Sequence, residues 1–152
     1  MTRLPNRDMV TLGLAAFTAA HARFAQHAWT TASMHAPLAE VVWWAICVDE
    51  ELEREPDYRA RRNGDPDGKL LVGLRYVRSA LGHHMFFNVM VDRGSMLPAT
   101  LPMRLGPPEA RWMRSDMLPV AGVQQNIRGD YDAELAGREI SETLTRIASW
   151  FA

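Results

Sequence analysis

The sequence predicts an all-α protein, a helical bundle interrupted before its last helices by a proline-rich stretch with room for a short β-hairpin. Three observations predict it. Apolar residues recur at steps of three, four and seven through much of the first eighty positions and again at the end, the spacing of a helix face. Five of the nine prolines, at 98, 102, 107, 108 and 119, crowd between Arg93 and Arg128, where no long helix fits. A chain of 152 residues, 47% apolar and 23% charged, has the size and composition of one globular domain rather than of a disordered segment. Residues 1–152 are therefore read as a single domain without internal repeats.

From Asp8 to about Thr31, Val10, Leu14, Phe17, Phe24 and Ala28 form the stripe of an amphipathic helix. His21 fills the missing step as a hydrogen-bonded core or groove residue rather than a ligand. A second helix takes Pro37 in its first turn and runs to about Glu53. Leu38, Val41, Trp44, Ala45, Val48 and Leu52 share one arc, with Asp49 at its edge, where a buried carboxylate needs a partner. Trp43 faces away and marks a candidate subunit contact. Glu50, Glu51, Glu53 and Glu55 are expected in a solvated terminal turn.

Arg54 to Asp67 holds two prolines, an Asn-Gly pair and eight charged residues, and reads as a loop in which Arg59, Arg61 and Arg62 are solvated among acids. A third helix begins near Asp67 and carries Leu70, Leu71, Leu74, Val77 and Leu81 inward, with Gly82 able to kink or end it. The apolar run Met85 to Val91 has no decisive period and is assigned to helix. Thr100 to Leu105 and Ala110 to Val120 are expected to be extended, as a hairpin. Asp130 starts a short helix that Gly137 closes, and Ile140, Leu144, Ile147 and Phe151 mark the last.

Seventeen basic residues against eighteen acidic ones leave a net charge of -1, so a polyanion would have to be held by a local site rather than a global field. The single cysteine, Cys47, excludes an internal disulfide and a cysteine-based zinc site, and it reads as a small hydrophobe in a reducing cytoplasm. No uncharged stretch reaches the roughly 18 residues of a membrane span, and the N-terminus lacks signal-peptide character. There is no glycine-rich phosphate loop, serine or cysteine triad motif, or metal-ligand pair of His-x3-His or Glu-x2-His spacing, so no metal and no cofactor are expected.

The sharp chemical feature runs from Arg75 to His84. With Arg78 at 0° on a straight helix, Leu74 falls at about -40°, Leu81 at about -60° and Leu71 at about +20°. Arg78 therefore sits inside the apolar arc and must be paired or line a cleft. Asp49 is the expected partner, and Arg75 broadens the positive face. His83 and His84 follow Arg78 by five and six residues.

The stretch Gly73-Leu-Arg-Tyr-Val-Arg-Ser-Ala-Leu-Gly-His-His84 resembles the motif of the HEPN family, an arginine, usually a polar residue, and a histidine after four to six intervening positions. Ser79 stands where that family usually has Asn, Asp or His. The resemblance implies a small helical domain that dimerises and acts as a metal-independent RNA endonuclease or toxin, or as an inactive RNA-binding relative, with RNA and a cognate antitoxin as partners. It implies Arg78, His83 and His84 as catalytic residues and Arg75 and Ser79 as RNA contacts. An imidazole can take the proton of a ribose 2′-hydroxyl and return one to the leaving oxygen, while a guanidinium neutralises the phosphate. On a straight helix Arg78 and His83 diverge by about 140°, and His84 by about 120° the other way. A break at Gly82 or a two-fold dimer is needed to bring them together. The other class is a non-catalytic helical interaction protein, such as an antitoxin or assembly subunit. There Arg78 and Asp49 fix helix packing and the histidines close a helix end.

Overall fold

A computed structural model describes residues 4–26, 31–84, 89–92, 109–118 and 125–152, and gives the backbone alone for 31–33, 82–84, 89–92 and 125. The described residues form a helical bundle with one two-stranded ribbon. In order they are α1 (Arg7–Gln26), α2 (Thr31–Leu52), α3 (Tyr58–Gly64), α4 (Pro66–His84), β1 (Val89–Asp92), β2 (Glu109–Trp112), a 3-10 turn at Ser115–Met117, α5 (Gln125–Glu134) and α6 (Ile140–Phe151).

Side-chain caps set the starts of α1 and α4. Asn6 Oδ1 accepts from the backbone N–H groups of Asp8 and Met9, satisfying orphan donors of α1, while the Asn6 N–H donates to Glu51 at the far end of α2. Asp65 does the same for α4, accepting from Asp67 and Gly68, with Pro66 at the first helical position where its missing N–H costs nothing. The second helix begins earlier than its sequence suggests, at Thr31, and holds Pro37 inside rather than in its first turn.

Val10, Phe17, Ala20 and Phe24 of α1 are buried and pack on α2. The two helices approach closely at Gly13, where a Cβ would stand 2.7 Å from Val48 Cγ2. α4 is the central helix and touches α2, α3, α5 and α6. Its Tyr76 ring lies 4.8 Å from that of Tyr131 on α5. Amphipathic α6 buries Ile140, Leu144 and Ile147, and Phe151 meets Phe17 edge to face. Each fully buried aliphatic side chain here stabilises the fold by about 1.5–3 kcal/mol relative to exposure.

The ribbon is antiparallel, pairing Val89 with Trp112 through Asp92 with Glu109. Residues 89–91 are thus a strand rather than the expected helix; of the expected 110–120 extension, 110–112 is their strand partner, whereas Ser115–Met117 is a 3-10 turn. The 100–105 segment lies outside the described residues. Trp112 anchors β2. Its backbone exchanges hydrogen bonds with Gly137 and Arg138, and its indole Nε1 donates to Thr143. Gly137 turns the chain between α5 and α6 with a φ of +80°, a conformation that favours glycine. No helix among the described residues is long and apolar enough to cross a membrane.

Candidate functional site

Two faces of α2 meet α4, one buried and one open. The buried face carries Asp49 and Glu53, four residues apart and so on one side of the helix. Asp49 is fully buried. Its carboxylate accepts from Arg62 Nη1 at 2.9 and 3.1 Å, from Arg75 Nη2 at 2.5 Å and Nε at 3.1 Å, and from the Tyr58 hydroxyl at 3.1 Å. Glu53 Oε1 lies 2.7 Å from Arg62 Nη1 and 2.8 Å from Arg75 Nη2. Two carboxylates thus balance two guanidiniums around the fully buried Asp49, the condition under which buried charge is tolerated.

Titration follows from this arrangement. Burial pushes the Glu53 carboxyl up, but the hydrogen bonds and charges of Arg75 and Arg62 outweigh it and hold the group below the usual carboxylate range. The Tyr58 hydroxyl moves up, first by burial and then by the negative charge of Asp49. Arg75 loses solvation, yet Asp49 and Glu53 more than compensate and favour its charged form.

Three expectations change here. Asp49 is buried and paired, but with Arg62 and Arg75 rather than Arg78. Arg62, read as solvated, is only 4% exposed. Glu53 belongs to the network rather than to a solvated turn, and Glu51 and Glu55 are also largely covered, held by Arg54 and by Arg7 and Arg61. The cause is α3, which folds where a loop was expected and lies over the start of α4. With its Nε and Nη2 donors taken by Asp49 and Glu53, Arg75 is a structural tie more than a phosphate contact.

The open face carries Trp43, Cys47 and Glu50 of α2 beside Arg78 of α4. Arg78 grips Glu50 as a fork, Nη1 to Oε2 at 2.9 Å and Nη2 to Oε1 at 2.7 Å. Its guanidinium lies 5.9 Å from the centre of the Trp43 ring, within cation–π range. Trp43 is 54% exposed, as its position on the helix predicts. Cys47 is half-buried, and burial, with Glu50 nearby, raises its thiol pKa. Ser79 is half-buried beside Arg78.

α4 continues unbroken through Gly82 to His84, so no kink at Gly82 turns the histidine positions toward Arg78. The side chains of His83 and His84 lie outside the described residues. His21 stacks on Phe17 at 5.9 Å, and burial lowers its pKa, in keeping with a groove histidine. Among the described residues no group of three or more His, Cys, Asp or Glu side chains is arranged to hold a metal ion. Set against protein-family models, curated proteins and solved structures, the chain matches none of them.

Sequence reasoning missed Arg62, Glu53 and Tyr58. The available signal was spacing: Tyr58 and Arg62 are four apart, as are Asp49 and Glu53, which puts each pair on one helical face.

Proposed function

We propose that this chain is a metal-independent RNA endonuclease of the HEPN kind, acting in the cytoplasm as a two-fold dimer. Arg78 holds the scissile phosphate, and His83 or His84 moves the proton. The observation that supports the reading is the contrast between the two arginines of the motif. Arg75 is locked by two carboxylates, whereas Arg78 is 31% exposed, faces among the described residues a single half-exposed carboxylate and lies beside an exposed tryptophan. Among the described residues a phosphate entering there competes with Glu50 alone, and Trp43 offers a face on which a base can stack.

In the reaction an imidazole removes the 2′-hydroxyl proton and the oxygen attacks the adjacent phosphorus. The 5′-oxygen then leaves with a proton, giving a 2′,3′-cyclic phosphate and a 5′-hydroxyl. Because α4 is unbroken, its positions 78 and 83 diverge by about 140°, and a second copy is needed to complete the site.

One observation favours a second reading, a helical interaction protein. The Glu50 fork occupies both terminal nitrogens of Arg78, as a packing pair would. Glu50→Gln separates the two. Incubated with mixed RNA in EDTA, a nuclease with a Glu50-guarded arginine gains RNA affinity and still cleaves, and Arg78→Ala or the double-histidine variant loses about 10² to 10⁴ in rate. An interaction protein cleaves nothing, and Glu50→Gln leaves its RNA binding unchanged. Cleavage that persists in both the Arg78 and the double-histidine variants, or cleavage of DNA, would end the ribonuclease reading.

A further inference from the structure

At the end of the bundle where α1 starts and α2 finishes, four arginines surround the chain. Tyr58 and Arg62, four residues apart and both buried, set the inner side of α3, which places Arg59 and Arg61 on its two flanks. Arg7 of α1 and Arg54, two residues past α2, complete the set. Arg7 Nη2 lies 3.0 Å from Glu55 Oε1, and Arg61 Nη2 lies 3.6 Å from Glu55 Oε2. Arg54 Nη1 is 2.6 Å from Glu51 Oε1, and Arg59 Nε is 3.5 Å from Glu53 Oε1.

These four pairs share one polarity. The arginines keep 41–79% of their side chains in solvent and the acids only 15–19%, so each guanidinium stands outside and its carboxylate beneath. Other ion pairs of the described surface are not layered in this way. In Arg23–Glu40, Arg78–Glu50 and Arg146–Asp67 the acid is about as exposed as its arginine or more so, and Arg114–Asp116 is open on both sides. Counted with Arg62 and Arg75, six arginines here meet the four acids Asp49, Glu51, Glu53 and Glu55. Asp8 and Asp57 are exposed and pair with none of the six among the described residues, so the total charge is even and the layering sets the sign of the surface. A phosphate touching the outer guanidiniums is a guanidinium's width further from the carboxylates, and over that distance solvent and salt weaken the repulsion. A guanidinium carries five N–H donors, so none of the four is used up by its acid.

We infer that this end of the bundle docks the phosphate backbone of RNA, by charge and without reading sequence. Val10 and Tyr58, the apolar side chains beside Arg7 and Arg61, are buried. A protein partner needs an apolar core at its interface, whereas a nucleic-acid backbone needs only outward positive charge with free N–H donors. The local surface therefore supplies what the even net charge of the whole chain does not. That the polyanion is RNA rests on the reading proposed above. The surface itself uses none of the Arg78 face, and the test keeps the two apart.

The test is fluorescence anisotropy of the full chain with a labelled 2′-O-methyl oligouridylate, whose blocked hydroxyl prevents cleavage by 2′-attack. Each phosphate neutralised on a single strand adds about 0.7 to the slope of log affinity against log salt, so four contacts make a slope of about -3. Affinity should then fall roughly 50-fold between about 50 and 200 mM salt. The double variant Arg59→Gln/Arg61→Gln should lower the slope by about 1.4 and weaken binding at low salt roughly tenfold or more, with the circular dichroism spectrum unchanged. Arg7→Gln/Arg54→Gln, outside α3, should do the same, so the outcome does not hang on the folding of one helix. Arg114→Gln removes an equally exposed arginine and should leave binding unchanged, and Arg78→Gln should cost no more than one contact, about 0.7 of slope. No binding at low salt, full affinity in both double variants, an equal loss in Arg114→Gln, or polyglutamate binding as tight as the oligonucleotide would overturn the inference. Loss of binding in Arg78→Gln alone would overturn it and spare the reading of the Arg78 face. A chain that binds through the four arginines and cleaves no RNA would support this surface and refute the nuclease.

Discussion

Replacing Asp49 by asparagine keeps the side-chain volume and removes one charge from the buried network. The two arginines that Asp49 holds would then share Glu53 alone, leaving one uncompensated positive charge beneath α3. Removing one partner of a buried ion pair costs about 3–5 kcal/mol. The lower end is expected here, about 3 kcal/mol, because Glu53 remains within 2.7 Å of Arg62 and 2.8 Å of Arg75, and Arg75 keeps 24% of its side chain in solvent. For a domain of this size that lowers the melting temperature by roughly 6–12 °C, and the urea midpoint falls by about 1–3 M at ordinary m values. Urea titration followed by circular dichroism measures it, with Arg75→Gln and Arg78→Gln run beside it. Arg75→Gln should be severe. Arg78→Gln breaks only the partly exposed pair with Glu50 and should cost no more than about 1 kcal/mol. Should Arg78→Gln destabilise as much as Arg75→Gln, or Asp49→Asn cost under about 1 kcal/mol, the assignment of Asp49 to the inner arginines would be wrong.

Acid should weaken the fold partly through Glu53. Its folded pKa is depressed, so its contribution is present above the ordinary carboxylate pKa of about 4.3 and is lost as pH falls through the folded value. Stability of the parent should therefore drop faster between neutral and acid pH than that of Glu53→Gln. Tyr58 has the opposite sign. Its folded pKa is raised, so its contribution is intact below about pH 10 and lost above it, and Tyr58→Phe should flatten the alkaline limb of a stability profile. Gly68→Ala should destabilise by about 1–3 kcal/mol, because its Cβ would stand 2.5 Å from the Arg62 carbonyl oxygen and push α3 off α4. Gly129→Ala, in α5 with open space around it, should instead stabilise by up to about 1 kcal/mol in the same titration. Light scattering should report twice the 17.1 kDa chain mass.

Amphipathic helices were readable where their apolar residues fall on one face. The stripes through Val10, Phe17 and Phe24, and through Ile140, Leu144 and Ile147, are buried as their spacing requires. The outward position of Trp43 and the inward position of Asp49 were equally legible, because both follow from 100° per residue on α2. β1 was not. Val89 to Asp92 is four residues long, and so short an apolar run carries no period that separates strand from helix. What makes it a strand is a partner some twenty residues away, Glu109–Trp112, itself anchored by the turn after α5.

The partner of Asp49 was illegible for a related reason, and the reason lies in α3. Pro56 and Pro66 bound that segment, and each prevents a helix from running across it. Between them the seven residues Tyr58–Gly64 have no apolar stripe, since their buried side chains are a tyrosine and an arginine. Read alone, α4 makes Arg78 the misplaced residue, because Arg78 sits between Leu74 and Leu71 on the helical wheel while Arg75 lies about 60° further out. Once α3 lies against the start of α4, with the Arg62 backbone packed on Gly68, it covers Arg75 and stops short of Arg78, a turn further along. Burial of an arginine is therefore decided by which neighbour roofs it rather than by the phase of its own helix. The same roof leaves Arg78 partly exposed, paired with half-exposed Glu50.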